Sequence, residues 1–239
     1  MNKLIFLSPL FFLLGCLPEK SHAPVEEKSS SIIHLFDGSS LDNWLITDYA
    51  GRGEIEIDSN GSLILEMGAE LTGIHWKNQI KLPKVNYEIS LGARRTQGSD
   101  FFCGLTFPFK ESHATLILGG WGGALIGISS IDDFDASENE TGDAFIFEEK
   151  KWYDIKLQVT DKNLRVWIDQ QKVIDCDVEG RRVGMRYGEI EMSVPLGICT
   201  YTTTGEIRDL QLRTLDYPFS GLHHIKLLSI KPPCIHLKT

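Results

Sequence analysis

Six side chains in the middle of this chain have the types that proton transfer and ligand binding require. His75, in "TGIHW" (72 to 76), carries an imidazole with an ordinary pKa of about 6.5, so it can take up and return a proton near neutrality. Arg94 follows Ala93 on the strand face shared by Glu88 and Ser90, where a guanidinium can meet developing negative charge. Asp100, in "QGSDFF", offers an acid or a hydroxyl acceptor at the start of a strand. Each has a structural alternative that stays open on the residues alone: His75 packed on Trp76, Arg94 simply exposed, Asp100 closing a turn.

The other three lie in "LILGGWGGALIGISSIDDFDASENETGDAF" (116 to 145). Trp121 stands between two glycine pairs, so its ring can offer a flat face to the apolar side of a sugar, and the glycines let backbone approach a ligand. The alternative is a core tryptophan at a sheet bend. Asp135 and Glu138 belong to an acidic run with Asp132, Asp133 and Glu140. Such a run suits a hard cation such as calcium, which takes roughly six to eight oxygens, or direct binding of hydroxyls, or nothing beyond solvation. It lacks the Asp-x-Asp-x-Asp-Gly order of an EF-hand. Downstream, "EGRRVGMRYGEIEMSVPLG" supplies Arg181, Arg182 and Arg186, which are placed to cap the acidic loop rather than to meet substrate.

The elements that must position these groups are strands. Apolar residues alternate in "VNYEISLGA", through Val85, Tyr87, Ile89, Leu91 and Ala93, and again in "WYDIKLQVT", "NLRVWID" and "VIDCDV", which is the period of a half-buried strand. Shorter candidates are "EIEID", "SLILEM", "FFCGLTF", "ATLIL", "ALIGIS", "VPLGICTY" and "EIRDLQLRTL", separated by turn residues. No window of a dozen residues carries a helical stripe. Many short antiparallel strands argue an all-β sandwich of two antiparallel sheets, with function on a polar sheet face and its loops.

The ends are of another character. Lys3, the apolar run "LIFLSPLFFLL" and "LLGC" ending at Cys16 read as a bacterial lipoprotein signal, too short to span roughly 30 Å of hydrocarbon. The expectation is a signal peptide at 1–15, lipidation of Cys16, a flexible tether at 16–31, one sandwich domain at 32–215 and a C-terminal tail at 216–239. That places the protein outside the cytoplasm, in the cell envelope, held to a bacterial membrane by its lipid alone. The formal charge is −9 with no basic run, so the electrostatic footprint of a nucleic-acid binder is missing, and a neutral ligand or a cation suits the chain better. Cys103 and Cys176 sit among alternating apolar positions and are expected as buried thiols, although an exported protein also permits a disulfide. His223-His224 in the tail would need a third ligand from elsewhere to hold a metal.

Taken in order, "HLFDGSSLDNW" (34 to 44), "SLILEM", "TGIHW", "NYEISLGAR", "KKWYDIKLQVTDKNLRVWIDQQKV" and "GEIRDLQLR" resemble the 3-keto-disaccharide hydrolase domain family over about residues 33 to 215. Where many members show a "gNSGif" stretch, this chain has "GSDFFCGLTF", which marks a divergent branch. The resemblance implies a concanavalin A-like or laminin-G-like jelly roll, and a glycan or an oxidised glycoside as ligand. It further implies cleavage of glycosides oxidised at carbon 3, where an acidic hydrogen beside the ketone is removed, an enolate forms and the leaving group departs. In that chemistry His75 or Asp100 is the expected base, Arg94 steadies the enolate, Trp121 stacks on the ring, and Asp135 and Glu138 hold hydroxyls or a cation. The rival expectation is a glycan-binding module without catalysis.

Overall fold

The computed structural model describes residues 32–77 and 81–215. The expected signal peptide, Cys16, the tether, the tail with His223-His224, and Cys234 lie outside these residues. In chain order the strands are β1 (Ile32–Phe36), β2 (Trp44–Ile46), β3 (Ile55–Ile57), β4 (Leu63–Leu65) and β5 (Leu71–Trp76). There follow β6 (Tyr87–Gly98), β7 (Cys103–Phe109), β8 (Ser112–Gly119), β9 (Leu125–Ser129) and β10 (Asp143–Ala144). The last are β11 (Tyr153–Val159), β12 (Asn163–Ile168), β13 (Gln171–Asp177), β14 (Gly197–Tyr201) and β15 (Thr203–Thr214).

Two antiparallel sheets result, as the period-two pattern requires. One runs β13-β12-β11-β6-β15-β4-β3 with β1 also paired to β15, and the other runs β10-β9-β8-β7-β14-β5-β2. The fold is an all-β jelly-roll sandwich. Turn chemistry fits the hairpins: β12 and β13 are joined by Asp169 and Gln170, both at positive φ (47° and 70°), the backbone that a two-residue turn with the sheet's own twist demands.

Register explains which side chains face where. In the second sheet Ile74, Ile198, Leu105, Leu116 and Ile128 lie side by side across five strands and point into the core, against Ile89, Leu91, Leu157, Val166 and Leu212 of the first sheet. The alternate residues must then face away from the core. One outward row is Gly73, Cys199, Gly104, Ile117 and Gly127; another is His75, Gly197, Thr106, Thr115 and Ser129. This outer face is covered in part by two segments that press on its glycines. A Cβ on Gly127 would lie 2.9 Å from the Ala136 carbonyl oxygen, and one on Gly197 would lie 2.5 Å from that of Ser193.

Under that cover sits a second small apolar cluster of Tyr49, Leu71, Phe101, Ile117, Ala136 and Cys199. Cys103, Cys176 and Cys199 are free and buried, and burial pushes the Cys199 thiol up to about 12, which makes it a packing residue rather than a nucleophile.

Candidate functional site

The outer face of the second sheet is left open at one end, where a cleft of about 370 Å³ forms. Its floor is Leu71 from β5, Tyr201 from β14 and Phe101 just before β7. The rings of Phe101 and Tyr201 stack with centroids 5.7 Å apart and planes at 30°. One wall is the β8–β9 connection carrying Trp121. The other is the segment Arg186–Ile190, which enters the short 3-10 helix Glu189–Ser193.

Trp121 is held in place by the backbone around it. It takes a left-handed conformation (φ 47°, ψ 55°) between Gly119, Gly122 and Gly123, all at positive φ, so this tight connection needs glycines on both sides of the ring. Two residues of β6 and its end fix the turn. Arg95 donates to the carbonyl oxygens of Gly123 (3.1 Å), Phe147 (3.2 Å) and Asp100 (3.5 Å). The Asp100 carboxylate accepts the Phe101 N–H (2.8 Å) and, at longer range, the Gly122 N–H (3.4 Å). The indole is 46% exposed, and the Arg186 guanidinium lies 5.8 Å above its centre.

Charge is arranged unevenly around the cleft. Arg186 also pairs with Asp135 at 2.6 Å. Glu70, Asp100 and Glu189 line the cleft and have no lysine or arginine ion-pair partner among the described residues. Beside it a second hollow of about 300 Å³ is lined by Ser130, Asp133, Asp135, Met185, Arg186 and Tyr187, so Arg186 and Tyr187 stand between the two.

Of the six side chains singled out in the sequence, Asp100 and Trp121 line this cleft and Asp135 lines the adjoining hollow. Glu138 is exposed and lines neither. His75 shares the outer face with Leu71 but lies four residues along β5, about 13 Å away, and its Nδ1 is bonded to the Thr47 hydroxyl at 2.8 Å. Burial holds its pKa below the usual value. Arg94 belongs to the other sheet, as alternation requires: it faces outward, pairs with Glu206 at 2.5 Å and stacks 4.5 Å over Trp152. His75, Arg94 and Asp100 are therefore not brought together.

The acidic loop is not assembled as a cation cage. Asp132 and Glu140 pair with Arg181, Asp133 with Arg182 and Asp135 with Arg186, so the positive charge that calcium would bring is already supplied. The Arg182 N–H, then the Arg181 guanidinium, hold Asp132 below the usual carboxylate range. Among the described residues no group of three or more His, Cys, Asp or Glu side chains is arranged to hold a metal ion. Asp132, Asp135 and Glu140 thus meet arginines rather than one another, while Glu138 has no such ion pair among the described residues, and Arg186, besides capping Asp135, also lines the cleft.

The cleft also contains residues that sequence reasoning passed over: Phe101, Tyr201, Glu70, Tyr187 and Glu189. One signal existed. "VGMRYGE" places an aromatic residue between Gly184 and Gly188 in a polar segment, much as "GGWGG" does for Trp121, and Tyr187 is 92% exposed.

Several solved structures align with most of this chain. A candidate glycosyl hydrolase from Parabacteroides distasonis aligns at 13% identity with a TM-score of 0.47, over 77% of this chain and 94% of that one. The carbohydrate-binding module CBM66 from Bacillus subtilis aligns at 12% identity and a TM-score of 0.46, over 72% and 96%. The transglycosylase Crh5 in complex with NAG shares the fold at a TM-score of 0.52 and 10% identity, over 80% and 85%. No curated protein matches the sequence. The model of one carbohydrate-related family, described as the 3-keto-alpha-glucoside-1,2-lyase-like domain, matches residues 31–213, which span β1 to β15, and the chain belongs to that family.

Proposed function

We propose that the cleft under Trp121 binds a sugar ring and that the domain cleaves glycosides oxidised to a ketone at carbon 3. One observation carries the reading. An aromatic floor, a half-exposed indole, three carboxylates without cation partners among the described residues and an arginine meet in one open cleft, in a chain of a family named for that chemistry.

The steps follow from the acidity of the hydrogen on carbon 2. Asp100 takes that proton, and the electron pair it leaves forms an enolate with the ketone, steadied by the Arg186 guanidinium. Collapse of the enolate makes the carbon 1–carbon 2 double bond and breaks the bond from carbon 1 to the leaving oxygen. Water beside Glu189, on the opposite wall, supplies that oxygen with a proton. Water added to the unsaturated product completes a net hydrolysis. The roles expected of His75 and Arg94 thus pass to Asp100 and Arg186, which face the cleft.

Incubation of the purified protein with 3-keto glycosides and their unoxidised parents tests this. Release of the leaving group from the keto forms alone, abolished in Asp100→Asn, is expected. A second reading has its own support: both oxygens of Asp100 are engaged by backbone N–H groups, and an aromatic floor suffices for binding without chemistry. Saturable glycan binding without release from any keto form would establish that reading instead.

We further propose that the protein is exported and lipid-anchored through Cys16. The support is the apolar run ending in Gly15-Cys16. Fatty-acid labelling that persists in Cys16→Ser would overturn it.

A further inference from the structure

We propose that the cleft selects glycosides bearing a protonated amine over their uncharged counterparts and rejects those bearing a carboxylate or sulfate. This rests on the reading of the cleft as a sugar site and adds to it the charge class of the ligand.

Two independent features point the same way. The first is the lining charge. Glu70, Asp100 and Glu189 are acidic, and the single cation among the lining residues, Arg186, is already matched by Asp135 at 2.6 Å. A few residues away the carboxylates of the 132–140 loop meet arginines in turn. Among the described residues the cleft carboxylates have no such partners, so a cationic ligand would meet uncompensated negative charge there. The second feature is the aromatic surface. An ammonium is attracted to the face of an indole or phenol ring within about 6 Å, and Trp121, Tyr187, Phe101 and Tyr201 all border the cleft. The same geometry occurs within the molecule, where the Arg186 guanidinium sits 5.8 Å over the Trp121 ring.

Carboxylates and π-faces both favour a cation and both repel an anion. A uronate or sulfated sugar would bring a further negative charge against three others. An amino sugar would lay its ring on the Phe101–Tyr201 floor and its ammonium between the rings and the carboxylates. The exposed setting of Glu70 and Glu189 keeps each pairing modest and sensitive to salt.

The test is calorimetric titration of the full chain, at slightly acidic pH and low salt, with four methyl glycosides of one sugar: amino, N-acetylamino, hydroxyl and uronate. The amino form is expected to bind about two- to fivefold more tightly than its N-acetyl counterpart, with the uronate weakest, and added salt should erase the difference. In Glu70→Gln/Glu189→Gln the ratio of amino to N-acetyl affinity should fall towards one. Equal or tighter binding of the N-acetyl or hydroxyl form overturns the charge preference while leaving the cleft a sugar site. An undiminished ratio in the double variant places the preference elsewhere and also overturns it. Binding of none of the four overturns both this inference and the reading on which it rests.

Discussion

Asp100 and Arg95 show how much of the site depends on single side chains. Asp100→Asn keeps an oxygen to accept the Phe101 N–H but removes the base, so the fold should survive while release from a 3-keto glycoside falls by about a hundredfold or more. Thermal unfolding beside single-turnover rates separates the two; a variant that retains the wild-type rate removes Asp100 from the mechanism. Arg95→Met acts differently, because three backbone carbonyls lose their donor. A loss of about 1–3 kcal/mol is expected, read by urea unfolding, together with a red shift of Trp121 emission as the turn loosens. Unchanged emission would show that the glycines alone hold the ring. Sequence reasoning singled out Arg94 because period two puts it on the polar face, and the structure agrees about that face. The alternation could not say that the polar face of β6 belongs to the sheet away from the cleft, nor that Arg95, one step beyond the last core position Ala93, emerges beside it.

The strands were legible and their covers were not, for a physical reason. β6, β11, β12 and β13 each carry an alternation that needs no partner to be read, and each was found where the pattern put it. The segment 186–193 has no period, and its place is fixed by contacts distant in sequence. Ser193, fully buried, bonds to the Thr106 hydroxyl at 2.6 Å, which in turn meets Thr115 at 2.9 Å. That row of hydroxyls lies outward on β7 and β8, and Gly197 leaves room for Ser193 to reach it. Ser193→Ala should therefore cost about 1 kcal/mol in stability and loosen the wall that carries Arg186 and Glu189. Proteolysis under native conditions should then cut first between 184 and 194. Cleavage no faster than in wild type would mean that the apolar contacts of Ile190 with the second cluster seat the segment unaided. The acidic loop repeats the lesson: five carboxylates in thirteen residues look like a cation site until Arg181, Arg182 and Arg186, some fifty positions on, are folded against them.

At the scale of the whole molecule, the two described histidines with shifted pKa values decide how stability responds to pH. His75 is held below its usual value by desolvation, and His113 by desolvation with Lys84 adding to it. In the unfolded chain both return to about 6.5. Between the folded and unfolded values the unfolded state binds more protons, so the free energy of unfolding rises with pH in that window and falls as the solution is acidified below about 6.5. The carboxylates act in a lower window: Asp132 and Asp175 are held low by their hydrogen bonds and arginine or lysine neighbours, and their contribution is lost only as pH drops below the ordinary carboxylate value. Urea midpoints measured from neutral to mildly acid pH should decline, and His75→Gln/His113→Gln should flatten that first decline without altering the acid one. A midpoint level across the first window would show that neither imidazole is desolvated as the fold implies. His75 is thus read as a group that stabilises the neutral-pH sandwich through Thr47, and the cleft's own chemistry is expected to keep its pH profile in the double variant.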